Sequence, residues 1–301
     1  MDTLSGAATA RSRRSSLLAM AGICFVIMLI ALDSTVVGTA MPRIVSELKG
    51  FTLYPWIAAS YLMTNAVLIP VTGRLGDLYG RKPFVLGAIV LFTLASALCG
   101  AARTMIELVL ARGLQGVGGG MLTGVAFASV SDLFPVRIER VRWQAMLSAT
   151  FGISTAVGPA LGGFMTQHFG WRSVFYVNLP IALVAVFMVS RHLPRFEPEH
   201  DESRRLDWLG VLLLVVFVVS LLLLTEEGPT LGVASVTFVV LALVVLGGGV
   251  GFVRHQLVAR GPIIPARMFR SAPVRLLASL GFCTGFMMFV LVFYVPLLLQ
   301  G

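Results

Sequence analysis

Two charged residues sit inside long apolar runs of this 301-residue sequence, Asp33 within 17–39 and Arg112 within 105–131. A charge in hydrocarbon costs at least about 2.5–3.5 kcal/mol on insertion scales, so each needs a partner or water. Asp33 lies about six residues, and Arg112 about seven, from one end of its run, roughly 9–10 Å deep at the rise of a helix. Opposite charges at matched depth can pair or bias each other's protonation, and an aspartate so placed can trade a proton for a cationic substrate. The same residues also read as a purely structural ion pair, or as snorkelling side chains if the runs end elsewhere. Gln115, one turn from Arg112, and Asn65, near mid-depth of the run 54–72, are candidates to line a substrate cavity. Each reads equally as an ordinary interhelical hydrogen bond.

Two further patterns have chemistry of a mechanical kind. The segment Gly73-Arg-Leu-Gly-Asp-Leu-Tyr-Gly-Arg-Lys-Pro83 joins two apolar runs. Gly73 and Gly80 permit tight turns, Asp77 can cap a helix or bind an arginine, and Arg81 and Lys82 suit a lipid surface. A short basic loop that merely sets orientation is the plainer reading. Farther on, Thr150, Ser154, Gly158, Gly162 and Thr166 recur every four residues. Such a small-residue face lets two helices pack backbone to backbone, and Pro159 can kink its helix.

Other chemistries lack a basis in the residues. Gly116–Gly120 falls inside an apolar run, and Gly247–Gly249 has no following Lys-Ser/Thr, so neither reads as a nucleotide loop. His168, His192, His200 and His255 lie near run ends, and Cys24, Cys99 and Cys283 read as small apolar residues. With no nucleophile–base motif and no metal-ligand spacing, the sequence predicts neither an enzyme nor a metal or organic cofactor.

The elements that must position these residues are membrane helices. Hydrophobic residues make up 57% of the chain, charged residues only 12%, and mean hydropathy is +0.91. A soluble domain carries about twice that charged fraction. At roughly 20 residues per span, nine spans are predicted, near 17–39, 54–72, 84–102, 105–131, 142–166, 174–191, 208–225, 233–253 and 274–299. The first follows Arg11, Arg13 and Arg14 but is too long for a signal core and has no cleavage site after it. Of 23 basic residues, 18 fall on the side of the amino terminus, 4 on the other, and Arg112 within a span. That asymmetry places the amino terminus in the cytoplasm. It also explains the net charge of +9 without any nucleic acid. The predicted organisation is a tail (1–16), six spans (17–193), a charged cytoplasmic linker (194–207), two spans (208–253), a basic loop (254–273) and a last span (274–301).

These motifs, in this order, resemble the major facilitator superfamily, and within it the fourteen-span drug:proton antiporters. The segment Gly73, Leu75, Asp77, Gly80, Arg81, Lys82 matches the loop signature between spans two and three. Leu32-Asp-Ser-Thr-Val-Val-Gly-Thr-Ala-Met-Pro42 is similar to the first-span signature, and Arg112-Gly-Leu-Gln-Gly-Val-Gly-Gly-Gly120 to that of span four. Gly158-Pro-Ala-Leu-Gly-Gly163 resembles the antiporter signature of span five, and Trp171-Arg-Ser-Val-Phe-Tyr-Val-Asn-Leu-Pro180 the start of span six. The resemblance implies an all-α integral membrane protein with a major-facilitator-type bundle of about nine helices. It would export drugs, antibiotics or other lipophilic molecules across the plasma (inner) membrane by alternating access. Protons, the small-molecule substrate and the bilayer would be its partners, with the proton gradient as energy source.

Carried over by position, Asp33 and Arg112 become the proton- and substrate-linked charges. Asp77 with Arg81 becomes a cytoplasmic latch, and Gly158, Pro159, Gly162 and Gly163 form a seal between the halves. Measured against fourteen spans, the chain holds the first half, two inserted spans and one span of the second half, so it is expected to be carboxy-terminally incomplete. A non-transporting remnant or interaction partner is the alternative reading.

Overall fold

The computed structural model describes the backbone of residues 2–194, 206–232, 235–259, 261–264 and 266–300, and most side chains between 13 and 287. Among these residues all regular structure is helical. The helices are α1 (Asp2–Leu48), α2 (Tyr54–Tyr79), α3 (Arg81–Ala101), α4 (Met105–Leu133), α5 (Arg137–Phe169), α6 (Ser173–Tyr176), α7 (Asn178–His192), α8 (Trp208–Leu231), α9 (Val236–Val258) and α10 (Ala272–Gln300). Short 3₁₀ turns at Phe51–Leu53 and Ala266–Arg270 precede α2 and α10. Each predicted span has helix at its position. The linker prediction, 194–207, falls largely outside the described residues.

Among the described residues, seven segments are long and apolar enough to cross a membrane. The helix α4 is not among them, because Arg112, Gln115 and a run of glycines dilute its apolar character. Those glycines serve packing. A Cβ on Gly118 would stand 2.7 Å from the backbone nitrogen of Phe92 in α3. One on Gly120 would stand 2.5 Å from the carbonyl of Asn65 in α2. Bare backbone lets α4 sit against both neighbours at once.

The first six spans form one bundle with α1 and α4 at its centre. The helix α1 packs on α5, α7 and α4, while α4 packs on α2 and α3. Two apolar clusters stack along the bundle. One includes Met20, Ile23, Phe92, Leu122 and Val189; the other includes Val36, Ile44, Leu108, Trp171 and Phe175. Between them lies a polar layer. The bundle's outer surface is apolar, with Leu94, Leu183 and Phe187 all exposed, as lipid contact requires. A hairpin of α8 and α9 rests on α2 through α8. Gly248 and Gly249 of α9 lie against Phe217 of α8, so this glycine run is a packing surface.

Several helices run past the predicted span ends: α1 begins at Asp2, inside the predicted tail, and α2 continues from Thr72 to Tyr79, so Gly73 and Asp77 of the predicted loop are helical. The helix α1 continues past Thr39 to Leu48, because its polar end is paired. Arg43 Nε meets Glu47 Oε1 at 2.7 Å, and Trp171 Nε1 donates to Glu47 Oε2 at 2.9 Å. The sixth span is divided after Tyr176: Pro180 lies in the first turn of α7, where its missing N–H costs nothing. Asn178 therefore opens α7 from inside the bundle.

Candidate functional site

The polar layer brings together residues from three helices. Arg112 of α4 donates from Nη1 to Asp33 Oδ2 of α1 at 2.7 Å, and to Gln115 Oε1 at 2.8 Å. Gln115 donates from Nε2 to Asp33 Oδ1 at 2.7 Å, and Asn178 of α7 donates from Nδ2 to the same oxygen at 2.9 Å. The carboxylate thus receives three hydrogen bonds. Asp33 is 1% exposed, Arg112 3%, and both Gln115 and Asn178 are fully enclosed. A buried ion pair holds its charges only with good geometry and satisfied lone pairs, and this constellation supplies both to the carboxylate.

A second layer holds the amides. The Cys99 thiol of α3 donates to Gln115 Oε1 at 3.4 Å, which turns that amide's N–H₂ toward Asp33. Ser96 of α3 donates to the Phe175 carbonyl and accepts from Asn178 Nδ2, both at 2.9 Å. Tyr61 of α2 lies with its ring 4.2 Å from the Arg112 guanidinium carbon, a cation–π contact. Within this layer, two buried atoms among the described residues have no hydrogen-bond partner: Arg112 Nε and Asn178 Oδ1.

The predicted residues divide clearly. Asp33, Arg112 and Gln115 meet directly. Asn65 does not reach the ion pair; it is half-buried, with Nδ2 3.5 Å from the Tyr61 hydroxyl. Asn178, Ser96, Cys99 and Tyr61 were not singled out by sequence. The available signal for Asn178 was its place inside the Trp171–Pro180 motif.

At one end of the bundle, Gly80 adopts φ 85°, ψ 141° and reverses the chain directly from α2 into α3. This turn places Arg81 against two neighbouring helices. It binds Asp77 Oδ1 at 2.9 Å and Asp132 Oδ2 of α4 at 2.8 Å, and it also donates to the Ala128 carbonyl. Lys82 donates to the Ser190 carbonyl of α7 at 2.8 Å. Gly73 approaches the Gly124 carbonyl, so α2 and α4 pack closely here too. Asp132 is an addition to the predicted latch.

The small-residue face of α5 separates in two. Ser154, Gly158 and Gly162 are buried. A Cβ on Gly158 would collide with Thr35 Oγ1, and one on Gly162 would stand 2.8 Å from the Val36 carbonyl. These residues therefore lock α5 onto α1 within this bundle. Pro159 is exposed, and a Cβ on Gly163 would meet nothing within 4 Å. That side of α5 is uncovered.

Outside the membrane segments, Asp207 caps α8 and ties it to α9. Its Oδ1 accepts from Gly210 N at 2.9 Å and lies 2.7 Å from His255 Nε2, while Oδ2 accepts from Gln256 at 2.9 Å. Burial opposes the charge, but the bonds from His255, Gly210 and Gln256 outweigh it and hold Asp207 below the usual carboxylate range. His255, expected at an interface, is a partner in this clamp.

Apolar-surfaced helices enclosing one ionic layer define a polytopic membrane protein built around an internal charged site. The chain belongs to the Major Facilitator Superfamily, whose sequence model matches residues 23–301. It is 35% identical over 292 residues to Multidrug transporter protein MdtP of Bacillus subtilis (strain 168), covering 97% of this chain and 53% of the relative. It is 34% identical over 302 residues to Multidrug resistance protein 3 of the same organism, covering 100% of this chain and 57% of the relative. Efflux pump FUS6 of Gibberella fujikuroi (strain CBS 195.34 / IMI 58289 / NRRL A-6831) is 31% identical, covering 91% of this chain and 50% of that protein. The chain spans about half the length of these relatives. The fold is similar to that of an auto-inhibited POT family peptide transporter, with a TM-score of 0.53 at 14% identity over 81% of this chain and 53% of that one.

Proposed function

We propose that this chain is the amino-terminal part of a proton-driven exporter of drugs or other lipophilic small molecules, working by alternating access. The observation that carries this reading is the ionic layer: a carboxylate at the centre of a membrane bundle, 2.7 Å from an arginine. A group held so far from water is costly unless function retains it. Asp33 is the proton-binding group, and Arg112 is its ion-pair partner until the helices part. Gln115 orients the carboxylate, and Asn65 lines the approach through Tyr61.

The remaining motifs give the mechanical parts. Gly73, Asp77, Gly80, Arg81 and Lys82, joined by Asp132, form a latch on the cytoplasmic side. The uncovered face of α5 around Pro159 and Gly163 meets the second half, while Gly158 and Gly162 keep α5 rigid on α1. The basic-residue asymmetry supports a cytoplasmic amino terminus for a bundle in the plasma (inner) membrane. Relatives whose names describe multidrug transport and efflux support the substrate class.

The test is proton-driven efflux of a lipophilic cationic dye from everted vesicles, with this chain co-expressed with the carboxy-terminal half of MdtP. Efflux is expected with Asp33 intact and absent in Asp33→Asn. Undiminished proton-dependent efflux in Asp33→Asn would overturn the assignment.

A further inference from the structure

We infer that Asn178 is a positioning residue that answers the proton on Asp33, turning its amide over when the carboxylate becomes a carboxylic acid. The inference rests on the reading of Asp33 as the proton-exchanging group, and it is carried by one atom. Asn178 spends both N–H bonds, on Asp33 Oδ1 and on Ser96 Oγ, each at 2.9 Å. Its carbonyl oxygen Oδ1 is buried and has no hydrogen-bond partner. A buried polar atom left unpaired is costly, and native interiors rarely tolerate one without a reason.

The chemistry of an amide supplies the reason. An ionised carboxylate only accepts hydrogen bonds, so the N–H₂ end must face it. When Asp33 takes a proton from water its charge goes from −1 to 0 and one oxygen becomes an O–H donor. An N–H₂ group cannot accept that bond. Rotation about the Cβ–Cγ bond exchanges the two ends of Asn178 and presents Oδ1 to the new O–H. Ser96 fits either orientation, because a hydroxyl both donates and accepts: it accepts from Asn178 now, and can donate to Oδ1 after rotation. Gln115 has no such freedom, since Arg112 and Cys99 both donate to its Oε1.

The position of Asn178 gives the rotation a mechanical consequence. It is the first residue of α7, directly after the break that follows α6, and Ser96 also holds the Phe175 carbonyl of α6. Turning the amide moves the Ser96 proton from Phe175 to Asn178 and releases that carbonyl from Ser96. The protonation state of α1 is thereby read by α3, α6 and α7. The ionisable groups facing Asp33 are Arg112 of α4, Tyr61 of α2 and Cys99 of α3. None of these three changes charge in an acid titration, so an acid-induced change in the layer reports Asp33 itself.

The experiment is infrared difference spectroscopy of the full 301-residue chain in lipid nanodiscs, titrated from neutral to acid pH, with isotope-labelled asparagine. The expected result has two parts: a carboxylic-acid carbonyl band that Asp33→Asn removes, and a simultaneous shift of an asparagine amide band that Asn178→Leu removes. Ser96→Ala leaves Asn178 in place and is expected to move the amide band without abolishing it, so the test survives if Asn178→Leu fails to fold. A carboxylic-acid band with no change at the Asn178 amide overturns this inference and leaves proton exchange at Asp33 standing. No carboxylic-acid band at any pH at which the chain stays folded overturns both.

Discussion

Removing one partner of the Asp33–Arg112 pair should be far more damaging than removing both. The two side chains are 1% and 3% exposed and meet at 2.7 Å, so either one alone is an uncompensated buried charge. Such a loss costs about 3–5 kcal/mol, while replacing both partners by neutral groups of similar shape costs much less. Asp33→Asn and Arg112→Gln should therefore each destabilise by that amount. The double variant should cost less than either single, which puts it at least about 3–5 kcal/mol below their sum. The singles should also differ in pH response. An isolated Asp33 can escape its penalty by binding a proton, so the cost of Arg112→Gln shrinks as the pH is lowered from neutral into acid. Arginine cannot shed its proton, so the cost of Asp33→Asn stays level over that range. Unfolding in mixed micelles, followed by circular dichroism at several pH values, measures all three. Additive single effects within about 0.5 kcal/mol, or an Asp33→Asn penalty that disappears in acid, would refute the reasoning.

Four further outcomes follow from the packing and the loops. Gly158→Ala should destabilise the chain by about 1–3 kcal/mol in the same assay because its methyl meets Thr35 Oγ1. Gly163→Ala, with nothing within 4 Å, should change it by less than about 0.5 kcal/mol. Gly80→Ala forces a side chain into φ 85° and should cost about 1–3 kcal/mol, read as a lowered midpoint of thermal unfolding. Asp207→Ala should cost about 0.5–2 kcal/mol at neutral pH through its lost cap. Because Asp207 is held below the usual carboxylate range, its contribution is complete above its unfolded pKa, about 3.9, and is lost as pH falls through the lower folded value. The gap between wild type and Asp207→Ala should thus narrow in strong acid.

The sequence made the helices and part of the site legible for the same physical reason: membrane interiors are so apolar that each exception is visible. Asp33, Arg112 and Gln115 stood out against Leu, Val and Ile, and they do meet. Asn178 did not, because a polar residue two positions before Pro180 has the pattern of a helix start at a surface. Only the three-dimensional path, which buries the α6–α7 break against α3, makes it internal. Tyr61 and Cys99 were hidden by being apolar in bulk and polar at one atom. The reach of α1 to Leu48 was equally hidden, since Arg43 and Glu47 read as leaving the membrane while their pairing keeps them helical. Glycine in α4 lowered the apolar signal of a central helix, though absent side chains are what allow α2 and α3 to close on it.

Whether Asp33 exchanges its proton for a cation is measured most directly by counting protons. The purified chain, in a lightly buffered detergent solution with a pH indicator, is mixed with a lipophilic cation whose binding is followed in parallel by fluorescence. Wild type should release protons as the cation binds, and Asp33→Asn should release none. Proton release of equal size from Asp33→Asn, or cation binding to wild type with no release at any pH, would contradict it.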